Sequence, residues 1–330
     1  MVTHLVRYAD PDAGPGTPRW GVVHGSSIAP LEGTYETTGD LVTDGEADWR
    51  ARAGEPGSVP VGSVEVLSPV TTPCRVMCQG VNYREHAIES GMDPDALDFN
   101  LFFDKTDASV TGPTQPVVRP AHVRLLDHEV ELALVIRSRV REDTVVTADN
   151  LADHVFGVTI ANDLSARDVQ LPQGQFLKGK SYRGFCPVGP YLAVLERDEM
   201  GLIDQLDLRL EVDGEVRQQD SSANLLHKPA ATLTELSTFC DLDPGDLVLT
   251  GTPSGITASS PPAIVRRLAT ALLGEQQLWR AFVKRQLTRP YLQPGQVVTA
   301  SITHPDGLVD LGTQRTTIVG PPTNRGEEHA

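Results

Sequence analysis

The sequence predicts a mainly β chain with a smaller helical share, an α+β protein. Strand-like runs recur from end to end, and helical periodicity is confined to a few short stretches. Frequent turns are built in, with 29 glycines and 25 prolines among 330 residues. A hydrophobic fraction of 39% against 22% charged supplies enough apolar side chains for a real core.

The elements follow in chain order. Residues 1–70 predict a small N-terminal β domain: HLVRY, WGVVHG and SVEVL read as strands joined by Gly, Pro, Asp and Thr. Thr38–Pro60 is polar, with room for one short helix. LSPVTTP, ending at Pro73, reads as a linker, because its two prolines bar a continuous helix or a central strand. Residues 71–320 then predict a larger domain. RVMCQGV, PVVRP, EVELALVI, HVFGVTIAND, LDLRLEVDGE, DLVLTG and GQVVTASIT are its strand candidates, and NYREHAIESG and ANLLHKPAATLTELSTFC its helical ones. Within it, about 257–290 predicts a helical insertion. From Pro261 to Pro290 six basic residues face the single acid Glu275, with apolar residues at near-helical spacing. A solvated helical face, a lid or a subunit contact would each explain that pattern. Residues 321–330 predict a flexible tail.

Charge excludes several classes. The chain carries a formal −16, with 44 acidic against 28 basic residues. Phosphate binding needs clustered Lys and Arg, so neither nucleic acid nor an anionic membrane is an expected partner. No apolar run is long enough to span a bilayer and no signal-like segment opens the chain, so a cytoplasmic location is expected. Cys74, Cys78, Cys186 and Cys240 lack redox or zinc spacing and read as reduced, structural thiols.

Five motifs carry chemistry. In DHEVELALVI, strand alternation puts Glu129 and Glu131 on one face, with Val130, Leu132 and Leu134 on the other. Two like charges on an apolar strand require either a positive partner or an exposed strand end. In ANDLSARDVQ, Asp163 stands where a strand runs into a turn, as a cap or as a ligand. Together these three hard oxygen donors suit Mg²⁺, with Mn²⁺ or Ca²⁺ also compatible, and suit zinc poorly. In GVNYREHAIESG a helix would set His86 and Glu89 at i and i+3, either as a surface pair or as an oriented general base. Lys180 in GKSY reads as an oxyanion or carboxylate partner, or as a solvated lysine. LTGTPSG places small residues where backbone N–H groups can approach a ligand, and it is not a P-loop.

The order G-V-N-Y-x-x-H-x-x-E, E-V-E-L, N-D-x-S-A-R-D-x-Q, G-K-S-Y, G-D-x-x-x-T-G-T-P-S-G resembles the fumarylacetoacetate hydrolase (FAH) family from about Cys74 to Gly255, and again weakly at YLQPGQVVTASI. The resemblance implies a mixed β-sandwich roll with a small N-terminal domain, assembled as a homodimer. It implies Glu129, Glu131 and Asp163 as ligands of Mg²⁺ or Mn²⁺, and His86, Glu89 and Lys180 as catalytic residues. Tyr83, Arg167, Gln170, Gly251 and Thr252 are the candidates for substrate contact. The leading expectation is hydrolysis of a carbon–carbon bond in a β-diketo acid such as an acylpyruvate, with His86 and Glu89 activating water. Decarboxylation or tautomerisation of a 2-oxo acid at the same site is the alternative, and a non-catalytic ligand-binding relative the third reading.

Overall fold

A computed structural model describes residues 2–10, 17–96, 100–258 and 283–322. Most of the basic insertion and nearly all of the expected tail lie outside the described residues.

Two sheets dominate the described fold, a sheet-rich α+β architecture. The larger runs in the order Val59–Pro60, Ser27–Pro30, Thr17–His24, Thr3–Asp10, Tyr191–Val194, Val155–Asn162, Val130–Ile136, Leu247–Leu249, Val76–Gly80, Leu101–Lys105. The smaller runs Glu215–Ser221, Asp207–Val212, Val297–Thr303, Asp310–Val319, Val117–Val118. The two pack face to face as a sandwich. Leu132 and Leu134 of the large sheet share one apolar cluster with Leu208, Leu210, Val298 and Ile302 of the small one. Ala133 and Val135, pointing the other way, join a second cluster with Leu41, Val42 and Trp49. The helices Thr38–Asp44 and Glu46–Arg52 thus cover the opposite face, two where the sequence suggested one.

The N-terminal strands are hydrogen-bonded into the large sheet, because Thr3–Val6 pairs antiparallel with Tyr191–Val194. After Leu67, which ends the strand Glu65–Leu67, LSPVTTP contains neither helix nor strand, yet it is not a solvated connector. Ser68, Val70 and Thr71 are buried, and Thr71 exchanges hydrogen bonds with Thr38.

The centre of the sheet positions the site. Val130–Ile136 is buried on both faces, and each such Val, Leu or Ile stabilises the fold by about 1.5–3 kcal/mol. That gain lets the strand carry Glu129 and Glu131 out of water at its leading end. Antiparallel register sets Val130 against Asn162, so Asp163 follows directly beside Glu129 and its N–H donates to the Glu129 carbonyl at 2.8 Å. On the other flank Ala133 faces Leu249, and continuing that register brings Gly251 opposite Glu131.

Candidate active site

Glu129, Glu131 and Asp163 converge at the end of the central strands, all buried, with one oxygen of each within 4.8 Å of the others. The exposed strand end that would have relieved their repulsion is absent, and positive partners take its place. Lys180 Nζ donates to Glu129 Oε2 at 2.6 Å and also to Asp163 Oδ2. Lys105 Nζ donates to Asp163 Oδ1 at 2.5 Å and to the Phe185 carbonyl at 3.0 Å. Arg167 spans two acids: Nη2 pairs with Glu129 Oε1, and Nε donates to Asp127 Oδ2 at 2.9 Å.

Asp127 is a fourth buried carboxylate. It accepts from the backbone N–H groups of Thr257 (2.8 Å) and Ala258 (2.9 Å), which fixes the loop after LTGTPSG. Four buried acids therefore share three cations. Glu131 is the acid left over: its one hydrogen bond is from the Gly251 N–H at 2.6 Å, and no lysine or arginine pairs with it among the described residues.

Electrostatics follow from that sharing. Burial alone would raise the Glu129 pKa, but Arg167 and Lys180 outweigh it and hold the carboxylate well below the usual range. At Glu131 burial, Asp163 and Glu129 act together and push the pKa well above that range. Burial opposes the charged forms of Lys180 and Arg167, yet the neighbouring carboxylates raise both. Three hard oxygen donors, one lacking a cation, form a set that a divalent cation completes. The residues present fit such an ion.

The helix Arg84–Glu89 follows the strand Val76–Gly80 and sets His86 over this cluster. His86 is buried, and its Nδ1 lies 3.5 Å from Glu89 Oε2. Glu89 Oε2 is itself held by the Gly255 N–H at 3.2 Å. The pair is therefore oriented across an element boundary, unlike a surface His–Glu contact, and Nε2 is the ring nitrogen left for the cavity. Asn82 ties the helix's approach to the glycine loop by donating to Thr250 O at 2.8 Å and His227 O at 3.0 Å. Gly251 has φ +96°, and a Cβ there would lie 2.8 Å from Asn82 Cβ, so the loop approaches this closely only with glycine.

A cavity of about 220 Å³ joins these groups, lined by His86, Glu129, Glu131, Arg167, Gln170, Lys180 and Thr252 on its polar side. The other candidates for substrate contact are placed differently. Tyr83 is fully buried in the core and is not among the residues that line the cavity. Gly251 holds Glu131. Arg167 reaches the cavity but spends its N–H groups on Asp127, Glu129 and Gln170. Thr252 lines the cavity, and its hydroxyl donates to the Val130 carbonyl at 2.9 Å and accepts from Gln218. Three supporting residues escaped the sequence reading. Lys105 and Gln218 sit in strands with no motif around them, whereas Asp127 opens the DHEVEL run, where its position next to the glutamates is the signal that could find it.

The family described as "Fumarylacetoacetate (FAA) hydrolase C-terminal" matches residues 75–319. The chain belongs to the fumarylacetoacetate hydrolase family. Among its FAH relatives, "Oxaloacetate tautomerase FAHD2A, mitochondrial" of Bos taurus is 34% identical over 221 residues, 66% of this chain and 68% of that protein. "Oxaloacetate tautomerase YisK" of Bacillus subtilis is 35% identical over 209 residues, 62% of this chain and 68% of that protein. A solved structure titled as a probable 2-hydroxyhepta-2,4-diene-1,7-dioate isomerase from Mycobacterium abscessus superposes with a TM-score of 0.72 at 26% identity. It covers 97% of this chain and 99% of its own. The likeness of fold thus extends beyond residues 75–319, and an enzyme role is supported.

Proposed function

We propose that the protein is a divalent-metal-dependent tautomerase of a 2-oxo acid, interconverting its keto and enol forms. The observation that carries this reading is one buried, carboxylate-oriented imidazole facing a three-carboxylate cluster across a small cavity. One acid–base group opposite one charge-stabilising centre is what proton transfer next to a carbonyl requires. The names of the relatives, two tautomerases and an isomerase, support the same choice over carbon–carbon hydrolysis, which the motifs alone had put first.

Glu129, Glu131 and Asp163 would hold the ion, Mg²⁺ or Mn²⁺ by the chemistry of the donors. When bound, it supplies the positive charge that polarises the oxygens of the 2-oxo acid. His86 Nε2 takes a proton from the carbon beside the carbonyl, and Glu89 fixes the tautomer and steadies the imidazolium that results. Lys180 faces the oxygen on which negative charge develops. Transfer of a proton from the His86 imidazolium to the enolate oxygen completes the enol and regenerates the neutral imidazole, and the reverse sequence restores the ketone.

Exchange of C3 hydrogens for solvent deuterium, followed by NMR with Mg²⁺ present, reads this chemistry directly. The wild type should accelerate exchange, and His86→Ala should slow it by about 100-fold or more. Acetylpyruvate in the same tube tests the other reading: cleavage to acetate and pyruvate without C3 exchange would establish hydrolysis in place of tautomerisation.

A further inference from the structure

Beside these polar groups the cavity has an apolar lining, which includes Met92, Phe103, Leu171, Phe176 and Ile256. Phe103 and Phe176 meet edge to face with ring centres 5.0 Å apart, forming a stable apolar corner. Met92 and Leu171 are large apolar side chains left 39% and 41% exposed, a cost that an apolar occupant would remove.

The cations lining the cavity among the described residues, Arg167 and Lys180, are both held by carboxylates. Arg167 is engaged by Asp127, Glu129 and Gln170. Lys180 is engaged by Glu129 and Asp163, with its Nζ 4.9 Å from the Phe103 ring. Among the described residues that line the cavity, no cation is without a carboxylate partner. A second carboxylate packed against these apolar side chains would lose its hydration without a partner among them.

We infer that the 2-oxo acid accepted here carries an apolar distal group, branched or aromatic, in place of a second carboxylate. This rests on the tautomerase reading for the identity of the reacting end, and it sets the chain apart from relatives named for a dicarboxylic acid. The discriminating pair is 4-methyl-2-oxopentanoate and oxaloacetate, which share the reacting end and differ in an isopropyl group against a carboxylate of nearly the same shape. Phenylpyruvate extends the apolar series.

Titration calorimetry on the Mg²⁺-loaded full chain should show the two apolar acids binding at least about ten-fold more tightly than oxaloacetate. Leu171→Arg, at a part-exposed position that tolerates a long side chain, should narrow or reverse that ratio by improving oxaloacetate. Oxaloacetate binding as tightly as the apolar acids, or more so, would overturn the inference, as would a Leu171→Arg ratio unchanged from wild type. Tight binding of the apolar acids without C3 exchange would leave the inference standing and sink the tautomerase reading. Absence of binding by all three acids would sink both.

Discussion

Glu129 and Glu131 are two residues apart on one strand face, yet their surroundings set them to opposite ends of the carboxylate range. Glu129 is gripped by Arg167 and Lys180, whereas Glu131 has only a backbone N–H. Substitution should separate them. Glu129→Gln leaves two buried cations short of a partner and should destabilise the fold by about 3–5 kcal/mol. Glu131→Gln mimics the protonated acid favoured without metal, so thermal unfolding of the metal-free protein should stay within about 0.5 kcal/mol of wild type. Calorimetry should nevertheless show Mg²⁺ affinity falling more than about 100-fold in the Glu131→Gln variant. Equal destabilisation by the two changes would refute the division of roles. The acids themselves were legible in the sequence because strand alternation and a strand end are local features. Their cations were only partly so. Lys180 lies in a motif, but Lys105 is brought in by sheet pairing between Val76 and Lys105, which no local pattern announces.

At the scale of elements, the loop from Gly251 to Ala258 joins every part of the site. It donates from Gly251 to Glu131, from Gly255 to Glu89, and from Thr257 and Ala258 to Asp127. Two glycines with the same φ separate strain from position. Gly251 and Gly295 both have φ +96°, but a Cβ at Gly295 meets nothing within 4 Å. Gly295→Ala should therefore cost only the left-handed backbone strain, about 1–2 kcal/mol, and keep Mg²⁺ affinity. Gly251→Ala should lose more stability and also weaken Mg²⁺ binding at least about ten-fold, because the collision with Asn82 moves the N–H off Glu131. The sequence reading anticipated small residues near a ligand here. It missed that the N–H groups serve the protein's own carboxylates, since that depends on register between strands more than a hundred residues apart. Strands with alternating or β-branched runs were readable, whereas Leu101–Lys105 and Tyr191–Val194 were not, being short and lacking a clear period.

For the whole molecule, pH and metal are linked through Glu131. Its folded pKa is raised, so the stability that goes with its protonated form is full below the unfolded value and lost as pH rises through the folded one. A bound cation favours the ionised form and reverses that loss. The rise in Tm on adding Mg²⁺ should therefore grow with pH through that interval, and a rise independent of pH would contradict the assignment. Glu129 and Asp127, both held low, contribute stability above their unfolded values that disappears only as pH falls through their folded ones. Burial dominates the thiols in the same way, pushing Cys186 up to about 12, in keeping with four free, structural cysteines. No helix among the described residues is long and apolar enough to cross a membrane. The sandwich follows from the family resemblance and the pairing of the acids from strand alternation, whereas their burial is settled only by the fold. The choice between tautomerisation and hydrolysis was not, because both use the same residue types in the same order.

The most direct test of the central claim is therefore C3 hydrogen–deuterium exchange of a 2-oxo acid by the 330-residue chain, with Mg²⁺ and after its removal by chelation. The account predicts fast exchange with Mg²⁺, loss on chelation, recovery on re-addition, and no recovery in Glu131→Gln. Exchange that survives chelation, or that Glu131→Gln supports at the wild-type rate, would contradict a metal-assisted tautomerase.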